Sequence, residues 1–284
     1  MTSFDLDPRY VAARKVLLDA LTALAPHNKA IIVAGAQAIY LQTGASDIGI
    51  APYTTDGDLA LDPTLLGDEP ELEAAMRRAG FDLLDSDRRQ PGIWVTTTEV
   101  AGESLIVPVD LIVPEAVAEG HGRRSVPIPP HGQMATRWAI GLEATLVDHS
   151  TMTITALDPT DTRSAMVEVA GLAAMLVAKT HKIRDRLADK KPDRLSDKDA
   201  ADVYRIMQNA RPADLGTTLR ELRSHPMAGK VTGNALDLMS DLFGTRRGDA
   251  IAMAQRSLAL AVPEEQIAAV SVAFTASLLE AANA

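Results

Sequence analysis

Cysteine is absent from the 284 residues. Disulfides and thiolate metal sites are therefore excluded, and the composition fits a cytoplasmic protein. No run of 18 apolar residues occurs, so neither a transmembrane helix nor a membrane partner is expected. The opening MTSFDLDPRY lacks the basic-then-apolar pattern of an export signal, which adds to the cytoplasmic expectation. The six histidines show no H-E-x-x-H or other ligand spacing, which argues against zinc. A G-x-S-x-G elbow, a Cys–His pair and a Gly-Lys-Ser/Thr phosphate loop are all missing. Positive charge is scarce too: 28 Lys and Arg against 38 Asp and Glu leave a net charge of −10. That balance argues against indiscriminate nucleic-acid binding and leaves room for a local basic patch.

What is present is an ordinary globular composition, 46% hydrophobic and 23% charged, in a chain long enough for one large domain or two ordinary ones. No internal repeat or low-complexity segment interrupts it. DPRYVAARKVLLDALTAL predicts a helix with Asp7 as N-cap and Pro8 in the first turn. KAIIVAG predicts a short buried strand ending at Gly35, followed by the helix AQAIYLQTG closed by Gly44. DGDLAL predicts a strand, EPELEAAMRRAG a helix stopped at Gly80, and FDLLD, GIWVTTTEV and SLIVPVDLIVP three further strands. The stretch 114–136 reads as a loop and TLVDHSTMTITAL as a last strand. From residue 164 the period is helical, beginning with SAMVEVAGLAAMLVAKTHKIRDRLAD. The pattern gives a mixed α and β N-terminal half and a helical C-terminal half, divided near 155–163.

The chemistry begins at TTDGDLAL. Side chains alternate along a strand, so Asp56 and Asp58 share one face, and two carboxylates that close demand a cation or a raised pKa. Oxygen-only ligands select Mg²⁺ or Mn²⁺ over zinc. Asp110 is a charge inside the apolar run VPVDLIVP. On a neighbouring strand it completes a three-carboxylate, two-metal site suited to phosphoryl transfer. The alternative is a turn pair and a solvent-facing Asp110. Upstream, Gly35 allows close backbone approach, and the helix after it offers N–H groups to phosphate. Downstream, Lys179, Lys182 and Arg186 fall at i, i+3 and i+7 on one helix face. Residues 179–198 carry eight Lys or Arg against four Asp, a patch able to hold a triphosphate or an RNA backbone. The alternative there is a solvated helix with its cations paired to Asp185 and Asp189. Arg123 and Arg124 sit in the 114–136 loop, solvated or touching RNA, and His181 reads as a core or supporting residue.

In this order, the strand–glycine turn–helix, the Asp-x-Asp strand and the later strand aspartate resemble the nucleotidyltransferase superfamily of the DNA polymerase β type. LVAKTHKIRDR followed by SDKDAADVYRI is similar to the AbiEii-type toxins and the related MenT toxins. The resemblance covers roughly residues 30–210. It implies an α+β fold, a nucleotidyltransferase-type mixed sheet flanked by helices over residues 1–157 and a helical domain over 158–284. It implies transfer of a nucleoside monophosphate from an NTP, with Mg²⁺ or Mn²⁺ held by Asp56, Asp58 and Asp110. Asp110 would also help deprotonate the attacking hydroxyl. Lys179 would be the phosphate lysine and Asp199, with Asp202 beside it, the second-helix acidic residue. Gly35, Ala36, Thr54 and Lys182 would line the nucleotide. It further implies a toxin of a toxin–antitoxin pair, with a tRNA 3′ end as acceptor and a cognate antitoxin as partner. Two positions depart from the pattern: Ala36 stands where a Gly or Ser is usual, and Pro52 where many members carry an arginine. A small-molecule or protein nucleotidylyltransferase, or a non-catalytic NTP- or partner-binding module, are the rival readings.

Overall fold

The computed structural model describes residues 6–44, 54–84, 90–118, 125–188 and 197–284. Pro52, Arg123, Arg124, Asp189, Lys190 and Lys191 lie outside them. Within the described residues the chain is α+β: a mixed eight-stranded sheet with helices, then an all-helical C-terminal region. It divides into two compact units. The first comprises Met1–Leu41, Ala51–Ala139 and His149–Ala170, and the second Gln42–Ile50, Ile140–Asp148 and Gly171–Ala284. No helix among the described residues is long and apolar enough to cross a membrane.

The first unit is built on strands β1 (Ile31–Ala34), β2 (Gly57–Leu61), β3 (Asp82–Leu83), β4 (Ile93–Val100), β5 (Glu103–Pro114), β6 (Arg137–Ala139), β7 (His149–Thr155) and β8 (Ser164–Ala170). Their order is β3-β4-β5-β2-β1-β8-β7, with β6 pairing β5 off that path. Strand β1 is central and buried on both faces, which is why IIVA is an unbroken apolar run. It runs antiparallel to β2 and parallel to β8, while β2 runs parallel to β5. Helix α1 (Pro8–Ala23) starts where Asp7 accepts from the Arg9 backbone N–H and Pro8 occupies the first turn. Its buried Val16, Leu17 and Leu21 face the sheet, and each such side chain contributes about 2 kcal/mol by leaving water. Helix α2 (Gly35–Thr43) follows β1 directly, and α3 (Leu72–Arg78) precedes β3.

One expectation is corrected here. SAMVEVA is not the start of a helix: it is β8, pairing β7 antiparallel and β1 in parallel, and helix α4 (Leu172–Ala188) begins only after Gly171. The short strand β6 was also not expected, lying where the sequence offered no alternation. The second unit contains α4 through α9: α5 (Lys198–Asn209), α6 (Pro212–Ser224), α7 (Gly229–Phe243), α8 (Asp249–Leu258) and α9 (Glu264–Asn283). Its core includes Tyr204, Phe243, Ile251 and Ile267, all fully buried. Helix α4 starts cleanly because the Asp148 carboxylate accepts from the Ala174 backbone N–H at 2.8 Å.

Candidate functional site

The expected site residues fall in both units. Gly35, Ala36, Thr54, Asp56, Asp58 and Asp110 belong to the first, and Lys179, Lys182 and Asp199 to the second.

In the first unit the three strands β1, β2 and β5 lie side by side. Asp58 pairs with Ala34 of β1 on one side and with Asp110 of β5 on the other. Parallel neighbours in register point their side chains to the same face, and adjacent strands lie about 4.8 Å apart. Asp58 and Asp110 are therefore neighbours across the sheet, as the sequence had suggested. Asp56 lies one residue before β2 begins, and its carboxylate accepts a short hydrogen bond from the buried Thr54 hydroxyl. The turn from β1 into α2 closes over Asp58. Gly35 has φ +66°, and a Cβ placed there would sit 1.9 Å from Asp58 Oδ2. Glycine is thus required twice at this position, for the left-handed backbone and for the space Asp58 fills. Ala36 follows, buried in the first turn of α2.

Asp110 shows the electrostatic cost of this arrangement. Burial pushes its pKa up, Arg137 pulls it down, and Asp58 and Asp56 push it up again as like charges, leaving it at about 6. The Arg137 guanidinium donates from Nη2 to Asp110 Oδ2 at 2.5 Å, with both side chains largely buried. Arg137 was missed by sequence reasoning. It comes from β6, where it pairs with Ile112 only two residues beyond Asp110. That approach depends on Gly92, where φ is +69° and a Cβ would lie 2.5 Å from the Arg137 backbone nitrogen. The sequence carried a faint signal, an arginine within the otherwise apolar stretch WAI and ATR, but nothing local ties it to Asp110. A second missed group supports the start of α2: the buried Arg14 donates to Gln37 Oε1 at 3.0 Å, to Tyr10 Oη at 3.0 Å and to the Thr155 carbonyl at 3.2 Å.

Among the described residues no three His, Asp or Glu side chains close around a point as a ready ion cage. The fit of the carboxylate trio to a metal therefore rests on its donor set. Three carboxylates lie near one another on and just before neighbouring strands, two of them raise the pKa of the third, and the counter-charge acting on Asp110 is the Arg137 guanidinium. Such a set suits a hard divalent cation. Asp56, Asp58 and Asp110 are the residues that could hold it.

In the second unit, α4 and α5 bring a different cluster together. The buried Lys179 donates from Nζ to Asp199 Oδ1 and to Asp202 Oδ2, each at 2.7 Å. Lys182 lies 3.5 Å from Asp199 Oδ1, and Arg186 Nε lies 2.7 Å from Asp199 Oδ2. The last contact is an ion pair without hydrogen-bond direction, since Oδ2 of Asp199 accepts no aligned N–H. Lys179, Lys182 and Arg186 do share one helix face, and what they face is Asp199. Burial alone would lower the Lys179 pKa, but Asp199 and Asp202 outweigh it and hold the ammonium well above its usual value. Asp199 is likewise held low against its burial by Lys179, Lys182 and Arg186. Lys182 retains the most exposure of the three, with 44% of its side chain accessible. His181 is a buried supporting residue, its Nε2 at 2.9 Å from the Val231 carbonyl.

Comparison with protein-family models, curated proteins and solved structures finds no match to this chain.

Proposed function

We propose that the protein is a nucleotidyltransferase that moves a nucleoside monophosphate from an NTP to an RNA acceptor, a tRNA 3′ end by resemblance. The observation that carries this reading is the in-register pair Asp58–Asp110 beside the Gly35 turn, with Asp56 two residues upstream. Like charges on neighbouring strands are costly, and Arg137 offsets only the part of that cost that falls on Asp110. A divalent cation held by Asp56, Asp58 and Asp110 would supply Lewis acidity toward a phosphoryl oxygen. Thr54 orients Asp56, and the Gly35 turn fixes where Asp58 stands. By the same resemblance, Asp110 would also help deprotonate the attacking hydroxyl. The Arg14–Gln37 pairing steadies the first turn of α2, whose N–H groups are suited to a phosphate. Lys179 is committed to Asp199 and Asp202, so in this reading it positions α4 against α5 rather than meeting phosphate unaided. A toxin role opposed by an antitoxin protein is the biological setting that the resemblance implies.

The test is incubation of purified protein with each labelled NTP, Mg²⁺ and total RNA. Label should appear on RNA, and Asp56→Asn or Asp58→Asn should reduce it by at least about a hundredfold while far-UV circular dichroism is unchanged. Label found only on protein or a small molecule rejects the RNA acceptor. Undiminished transfer in either variant rejects the carboxylate assignment.

A further inference from the structure

We propose that Arg137 is a resident counter-ion of the acidic cluster, occupying Asp110 until a divalent cation displaces it. The inference rests on reading Asp56, Asp58 and Asp110 as a divalent-cation site. Asp58 and Asp110 pair across neighbouring strands with Asp56 just before β2, and Nη2 of Arg137 sits 2.5 Å from Asp110 Oδ2. The pair is largely buried yet open to solvent at its rim, with 20% of the Arg137 side chain and 17% of that of Asp110 exposed. The Arg137 backbone is fixed: it pairs with Ile112 of β5, and its nitrogen is packed against Gly92. Any change of partner must therefore come from side-chain rotation.

A second feature shows that this guanidinium is not fully satisfied by its present partner. Its Nε is buried and has no hydrogen-bond partner. A structural arginine–carboxylate pair usually uses two parallel N–H groups, because the fork matches the carboxylate. Here the fork meets Asp110 through one arm. An end-on contact is weaker and more easily exchanged than a bidentate one, which suits a group that must yield. A dication outcompetes a single positive charge for three carboxylates on Coulombic grounds.

The experiment measures Mn²⁺ binding to the full chain by electron paramagnetic resonance, with thermal melts in parallel. Wild type should bind Mn²⁺, and Arg137→Met should bind it on the order of tenfold more tightly, because an adjacent arginine is worth one to three pKa units to a carboxylate. Without metal the variant should melt below wild type, and Mn²⁺ should raise its midpoint more than it raises that of wild type. The wild-type protein gives an independent readout: the Arg137 Nε–Hε resonance should move on titration with diamagnetic Mg²⁺, in step with occupancy. Metal binding with equal or weaker affinity in the variant, or with that resonance unmoved, overturns the counter-ion role and leaves the metal site standing. No Mn²⁺ binding by either protein, or binding undiminished by Asp58→Asn, overturns the cation reading itself and the inference with it.

Discussion

The Lys179 ammonium is surrounded by more negative charge than a surface lysine meets, and only 5% of its side chain is exposed. An unpaired charge in such a place is costly, so the stability of this corner depends on both partners being present. Lys179→Met keeps the length and the apolar stem but removes the buried ammonium that bridges Asp199 and Asp202. We expect it to destabilise the protein by about 3 kcal/mol or more, read as a shift in urea midpoint. The sequence alone had suggested a phosphate-contacting lysine, whose truncation would cut turnover. A variant as stable as wild type would restore that picture. The i, i+3, i+7 spacing fixes which residues share a face and says nothing of what that face meets. Asp199 and Asp202 lie 20 and 23 residues away in sequence.

At the scale of elements, the start of α3 is tied by a pair of histidines to the short 3-10 turn Ala25–Ala30 and to the loop before β6. His27 lies 2.7 Å through Nε2 from the Pro70 carbonyl, and the Leu72 backbone N–H is donated to His131 Nδ1 at 3.3 Å. The rings meet edge to face with centroids 5.5 Å apart. Burial lowers the His131 pKa, and His27 lowers it further, against smaller opposing effects of Asp68 and Glu71. A histidine whose folded pKa is depressed binds fewer protons folded than unfolded. Its contribution is present above the unfolded value of about 6.5 and is lost as pH falls below it, by at most about 1.4 kcal/mol per pH unit. Asp110 works in the opposite sense: with its pKa raised to about 6, its contribution is present at low pH and lost as pH rises from about 4 to 6. Comparing wild type with His131→Gln across pH 5 to 7.5 cancels the Asp110 part. The wild type should lose stability relative to the variant as pH falls, and parallel curves would rule the histidine out. Much of the element plan was legible, from the Asp7 cap to the Gly44 and Gly80 stops. The exceptions share a cause. SAMVEVA reads as helix because it runs into one, and only pairing with β7 and β1 makes it a strand. Strand β6 exists because β5 offers it an edge. Both depend on partners distant in sequence.

For the whole molecule, a net charge of −10 means that an RNA acceptor must be held by a local patch against general repulsion. Each phosphate contacted by a lysine or arginine releases counterions, so the affinity of a single strand falls with a log–log slope of about −0.7 per contact. Transfer to tRNA measured across a salt series should therefore drop steeply, while NTP binding changes little. Neutralising Lys190 and Lys191 together should flatten the tRNA dependence by about one to two contacts. A flat series in the wild type would point to a small-molecule or protein acceptor. The sequence marked the basic patch by composition, but it could not show that Lys179 and Arg186 are already engaged with Asp199. Of the helix cations, that leaves Lys182 as the most accessible of the three. The carboxylate trio was more legible, because a charge in an apolar strand stands out wherever its partners lie. Its guanidinium was not, because Arg137 and Asp110 are 27 residues apart and meet only through strand pairing.

The Gly35–Asp58 contact also restricts how this chain can diverge. A residue larger than glycine at 35 collides with the Asp58 carboxylate, so such a change requires Asp58 to move or to shorten. The reverse does not hold, since Asp58 can shrink without disturbing Gly35. Even then the φ of +66° would penalise any side chain at 35. The dependence is unequal: loss of the carboxylate can come first and leave the glycine behind as its trace. In a descendant that had abandoned this chemistry, the empty space beside a persistent glycine would record where the carboxylate once stood.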